Sequence, residues 1–86
     1  MPFEFDLNKS IINEEKHGID FNEAQKLWED LDRLVIPIRN VDEPRFIIIS
    51  KFDNKIWSAI FTMRNDNVRI ISVRRARKEE IALYEI

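Results

Sequence analysis

The chain has 86 residues, a formal net charge of −2, one histidine, one glycine and no cysteine. A single glycine excludes the glycine-rich phosphate loops of Rossmann and P-loop nucleotide enzymes, which need several glycines to bring backbone up to phosphate. One histidine and no thiol leave no zinc ligand set. An oxygen-liganded metal stays open, because acidic side chains are plentiful. The length argues for one domain, residues 1–86, with a thin core burying roughly 60–65% of the unfolded surface. A partner protein would then add to stability by mass action. Absence of cysteine makes the cytoplasm the default compartment. No apolar run approaches the roughly 20 residues of a membrane span, and the N-terminus lacks the pattern of a signal peptide. Charge is split: residues 1–44 balance to −6 and residues 45–86 to +4. The split reads either as an anion-facing surface or as two halves that neutralise each other.

Alternation over residues 2–6 predicts a short strand. Asp6 or Asn8 can cap a helix over about Asn8–His17, with Ile11, Ile12 and Leu7 as its apolar stripe. Gly18 ends it, as the residue best suited to the left-handed conformation. Asp20 or Asn22 opens a second helix whose apolar positions are Phe21, Ala24, Leu27, Trp28 and Leu31. It stops near Asp30–Asp32. Leu34–Ile38 is extended and held to an edge or a strand end by Pro37. Asn40–Glu43 form a polar connection. Arg45–Phe52 is a β-branched strand, Asp53–Lys55 a turn, and Ile56–Arg64 the next strand. In that strand Trp57, Ala59, Phe61 and Met63 share one face, and Ser58, Ile60, Thr62 and Arg64 the other. Asn65–Asn67 turn again into a strand from Val68 to about Arg75. By alternation its Ile71 and Val73 belong with one face and Ile70 and Ser72 with the other. Arg77–Ile86 read as a short terminal helix. The order β-α-α-β-β-β-β-α, with tight turns between the later strands, predicts an α+β fold on a mainly antiparallel sheet. Trp28 and Trp57 repeat at core spacing and read as core.

The last stretch concentrates cations at a strand-to-helix junction: Arg69, Arg74, Arg75, Arg77 and Lys78. Unpaired buried guanidinium is too costly, so acids of the fold or an anionic ligand must face them. Arg74 and Arg75 occupy successive strand positions and point to opposite faces, so at most one lines a given site. Arg64 on the wet face of the preceding strand can join whichever arginine faces that side. Glu80 and Tyr84 share one helix face. Glu80 reads as a base or as an ion-pair partner for Arg75, and Tyr84 as a proton donor, a stacking ring or a core ring with a wet hydroxyl. His17 is the one histidine available for acid–base work, but it also suits a structural place in the last turn of a helix, as does Lys16.

Several local patterns stand in order along the chain. They are Phe3-Glu-Phe-Asp6 with Lys9; Lys16-His17-Gly18-Ile19 with Phe21 and Glu23-Ala24; Thr62-Met-Arg64; and Arg69-Ile-Ile-Ser72 with Arg74-Arg75-Ala76, Glu80 and Tyr84-Glu85. Together they resemble the BrnT family of toxins over almost the whole length. The resemblance implies a RelE-like ribonuclease fold and RNA cleavage that stops translation. It implies a type II toxin–antitoxin operon with a BrnA-type antitoxin, whose ribbon-helix-helix domain binds operator DNA and which neutralises the toxin. Ser50 stands where the family commonly has glycine, and Arg77 where threonine or serine commonly caps the last helix. Cleavage with no metal or cofactor needs a base, a cation on the phosphate and an acid. Arg64 and Arg74 are the candidates to hold the phosphate, Glu80, His17 and Tyr84 to handle protons, and Lys16 and Arg75 to contact RNA. The alternative is a catalytically weak module that holds a DNA-binding antitoxin and co-represses the operon.

Overall fold

The computed structural model describes residues 2–39 and 42–86. Five strands, β1 (Phe3–Glu4), β2 (Leu34–Ile38), β3 (Arg45–Phe52), β4 (Lys55–Arg64) and β5 (Asn67–Arg75), form one sheet in the order β1-β5-β4-β3-β2. All neighbours are antiparallel except β1, which runs parallel to β5 through the pairs Phe3–Val68 and Glu4–Arg69. Helix α1 (Leu7–His17) follows β1, and helix α2 (Lys78–Tyr84) follows β5. The mixed α+β architecture agrees with the sequence. The expected second α-helix does not form as such: residues Glu23–Glu29 make a 3-10 helix. The expected α-helical order is therefore corrected at that element. Phe21, Ala24 and Leu27 still reach the core, but Leu31, expected on the same face, is 93% exposed. Leu31 lies past the end of that helix, beyond Asp30, whose backbone is already extended, so no helical stripe carries it to the core. Of the polar connection expected over Asn40–Glu43, positions 40 and 41 lie outside the described residues.

Two turns join the long strands. Asp53 and Asn54 have φ of 55° and 61°, and Asn65 and Asp66 have φ of 51° and 67°. Paired left-handed residues give the primed two-residue hairpin that matches strand twist, and Asn and Asp tolerate that conformation best after glycine. The core packs Ile48, Trp57, Ala59, Phe61, Val68, Ile70 and Val73 of the sheet against Ile19, Phe21, Ala24 and Leu27. Trp57 is buried as expected, while Trp28 is half-buried and packs on the core edge-on to Phe3 and Phe61.

Two expectations about faces fail for identifiable reasons. In β5 the register passes from Ile60–Ser72 to Phe61–Ile70, so Ile71 is an extra residue in a bulge. The bulge resets the alternation. Ile70 and Val73, expected on opposite faces, are therefore both buried in the core. In α1 the expected apolar stripe is turned outward: Leu7 is 68% exposed and Ile11 and Ile12 are each 50% exposed. The buried residues of α1 are Ser10 and Asn13. Ser10 Oγ accepts from Phe21 N–H at 2.8 Å. Asn13 donates to the Ile19 carbonyl at 2.8 Å and accepts from Val73 N–H at 3.1 Å. β1 is too short to cover all of β5, so Asn13 satisfies the edge that β1 leaves open. Asp6 caps α1 by accepting from Lys9 N–H, and Gly18 ends it at φ 77°.

Candidate functional site

Strand pairing places Ser58 directly opposite Arg74. Arg77, at the start of α2, brings Glu80 over this pair. Glu80 accepts from Arg74 through both carboxylate oxygens at 2.8 and 2.9 Å, from Ser58 Oγ at 2.9 Å and from Arg77 N–H at 2.7 Å. The Arg74 fork holds the Glu80 carboxyl down to about 2 against the cost of burial, with Arg77 N–H and Ser58 assisting. The same pairing raises Arg74 further above its usual range. A carboxylate so loaded with donors is a weak proton acceptor. In this geometry Glu80 orients Arg74. It pairs with Arg74, and the Arg75 partner considered from the sequence is a different group: the Arg75 guanidinium lies 5.5 Å from the Trp57 ring centroid.

Tyr84 shares α2 with Glu80 but turns elsewhere. Its hydroxyl donates to Asp30 Oδ2 at 2.6 Å, and Lys51 N–H donates to the same oxygen at 2.9 Å. The bond to Asp30, with burial and the Asp30 and Asp32 charges, pushes the phenol up to about 12. Burial opposes ionisation of Asp30, but Tyr84, Lys51, Asp32 and Ser50 together keep its carboxyl below the usual value. Tyr84 thus ties the last helix to the end of the 3-10 helix. Arg64 lies opposite Asn67, six positions along β4 from Ser58. That separation is about 20 Å at strand rise. Arg64 is half-exposed and approaches Glu43 at 3.9 Å, where Arg45 also approaches at 4.0 Å. Arg64 and Arg74 therefore do not meet on one phosphate.

His17 and Lys16, in the last turn of α1, line an open cavity of about 210 Å³ together with Lys9, Ile12, Asn13, Phe21, Ile71 and Ser72. Cations ring a partly apolar floor. Ser72 in its wall is two residues before Arg74, about 7 Å along the strand. A second cavity of about 250 Å³ is lined by Phe3, Gln25, Trp28, Glu29 and Arg33 and gathers no acid–base set. Among the described residues, Glu14, Asp20 and Glu23 bring carboxylate oxygens within 4.8 Å of one another. These are hard-cation donors, although one Asp20 oxygen already accepts from Glu23 N–H. Sequence reasoning missed Ser58, Asp30 and the place of Lys9. Ser58 carried a signal, since a serine facing an arginine across a hairpin can share its carboxylate partner. Asp30 carried none, because its partner Tyr84 is remote in sequence.

No helix among the described residues is long and apolar enough to cross a membrane. No curated protein matches the chain. A family model described as the ribonuclease toxin BrnT of a type II toxin–antitoxin system matches residues 5–80. That span includes α1, the whole sheet from β2 to β5, the Arg74–Ser58–Glu80 cluster and the His17 cavity, and the chain belongs to the BrnT family of ribonuclease toxins, whose systems pair each toxin with an antitoxin.

Proposed function

We propose that this chain cleaves RNA without a metal ion, on a RelE-like scaffold and in the cytoplasm, and so stops translation. A BrnA-type ribbon-helix-helix antitoxin neutralises it and carries the pair to operator DNA. The observation that carries the reading is the cavity at the end of α1, where His17, Lys16 and Lys9 converge beside Ser72 on the strand leading to Arg74. The attacking group is the substrate's own 2′-hydroxyl. As its oxygen bonds to phosphorus, the bond to the 5′-oxygen breaks, leaving a cyclic phosphate and a 5′-hydroxyl. Among the described residues, His17 is the acid–base candidate not tied into an ion pair. Lys9 and Lys16 supply positive charge to the phosphate. Arg74, held flat by Glu80, offers a planar fork to the same or the next phosphate, for which Glu80 must give way. Arg64 contacts RNA away from the reacting bond, Arg75 contacts it beside Trp57, and Tyr84 supports the helix that carries Glu80.

The test is RNA incubated with purified protein in excess chelator. The unaltered chain cleaves, His17→Ala loses about 100-fold or more in rate, and Arg74→Ala relieves growth arrest on expression while both variants stay folded. Intact RNA with the unaltered chain, or a His17→Ala protein as active as the parent, refutes the assignment. One observation favours the binding module as a second reading: Arg74 and Tyr84, two of the candidate groups, are engaged by Glu80 and Asp30. On that reading RNA stays intact while the antitoxin binds tightly.

A further inference from the structure

Helix α1 is built inside out. Its two buried side chains are polar, and both are used up on backbone groups of Ile19, Phe21 and Val73. Its three large aliphatic side chains are half-exposed or more. The inward face has a complete explanation within the chain, and the outward face has none. Leu7 and Ile11 are one turn apart and adjacent on the helix surface. Lys9, Ile12 and Lys16 follow at spacings of three and four and share the neighbouring side, so cations flank the apolar surface. Exposed aliphatic area of this kind marks a contact for another protein.

We propose that the outward face of α1 is the docking surface of the antitoxin. An amphipathic segment of that partner lays apolar side chains on Leu7, Ile11 and Ile12, sets carboxylates against Lys9 and Lys16 and places a cation on Glu15. Charge complementarity selects a segment of mixed charge, because Lys9 and Lys16 lie along one edge of the aliphatic surface while exposed Glu15, four residues after Ile11 and three after Ile12, lies within it. Exposed Glu14 and Glu15 on the same helix disfavour a phosphate backbone across it, and the aliphatic side chains offer no ring for a base to stack on. Seated there, the segment overlies the mouth of the cavity that holds His17. Docking and neutralisation are then one event. The inference rests on membership in a toxin–antitoxin family, and it does not depend on RNA being cleaved.

The probe is the full-length protein encoded by the reading frame adjacent to this one, titrated calorimetrically into the intact chain. The double variant Leu7→Ser/Ile11→Ser alters only exposed side chains outside the RNA-facing cavity, and circular dichroism verifies its fold. Binding weakens by about 30-fold or more, the loss expected for apolar anchors at the centre of an interface. Leu31→Ser, a change at an even more exposed aliphatic position, shifts it by less than about twofold. RNA affinity of the double variant stays at the parent value. Antitoxin affinity unchanged in the double variant, an equal loss in Leu31→Ser, or no binding by the unaltered chain each overturns the proposal. So does a loss of RNA affinity in its place, or a self-associated chain that the double variant dissociates while antitoxin binding persists. Binding that follows this pattern while RNA stays intact leaves the proposal standing and removes only the nuclease reading.

Discussion

Glu80→Gln keeps the shape of the side chain and removes its charge. Four donor contacts converge on the carboxylate, two of them from the Arg74 fork at 2.8 and 2.9 Å. A glutamine has one acceptor oxygen, so its amide nitrogen faces a donor and one arm of the fork is left unpaired. The fall of the Glu80 carboxyl from 4.5 to about 2 sets an upper figure. At about 1.36 kcal/mol per unit it is roughly 3 kcal/mol. The side chains of the pair are 27% and 16% exposed, and solvent screening brings the expected loss to about 2 kcal/mol. For a chain of this length that lowers the melting midpoint by about 10 °C. The sign with pH follows from the direction of the shift. A carboxyl depressed by folding contributes stability that is complete above its unfolded value and vanishes as pH falls through its folded value. The gap between parent and Glu80→Gln is therefore constant near neutrality and closes between about pH 5 and about pH 2. Urea unfolding followed by tryptophan fluorescence across that range measures it. A gap that is absent at neutral pH, or that persists undiminished at the acid end, refutes the reasoning.

Asn13→Ala strips two buried backbone groups of their partners and destabilises by about 2–4 kcal/mol, read as a lower urea midpoint with an unchanged slope. Gly18→Ala meets nothing within 4 Å of an added Cβ, yet its φ is 77°. The cost is conformational, about 1 kcal/mol, and appears as a melting shift with no change in near-ultraviolet circular dichroism. Tyr84→Phe loses the bond to Asp30 and about 1 kcal/mol of stability. Because folding raises this phenol to about 12 from 10.0, its contribution is complete below the unfolded value and lost as pH rises through the folded one. The chain has one tyrosine, so tyrosinate absorbance during an alkaline titration reports that group alone.

The strands were legible because β-branched runs bounded by Asn and Asp turns admit little else, and the caps Asp6, Gly18 and Asp20 marked helix limits through their own side-chain and backbone chemistry. The inward face of α1 was not legible. Periodicity seeks apolar residues, and it cannot see that the open edge of β5 needs an acceptor at Asn13. The bulge at Ile71 was hidden for a similar reason: alternation continues in sequence whether or not the partner strand keeps pace. At the candidate site, the junction brings Glu80 close to both Arg74 and Arg75 in sequence, and only the strand face decides that Arg74 is the one it pairs with. Arg64 was grouped with Arg74 by face, although face says nothing of distance along a strand. Tyr84 shares a helix face with Glu80, but that spacing says nothing of Asp30, which holds its hydroxyl from 54 positions away.

The parallel pairing of β1 with β5 has a consequence for when the His17 cavity forms. Its register joins Phe3 to Val68, and the Pro2 carbonyl accepts from Val68 N–H at 2.9 Å. Closing a loop of about 65 residues costs about 4 kcal/mol of chain entropy, far more than closing the two-residue hairpins of the sheet. The hairpins therefore lead and the N-terminus docks last. On a ribosome adding about 5–20 residues per second, the first strand waits about 3–13 seconds for its partner to be made. The wall of the His17 cavity includes Ile71 and Ser72, so that cavity is assembled only after β5 has been made and paired.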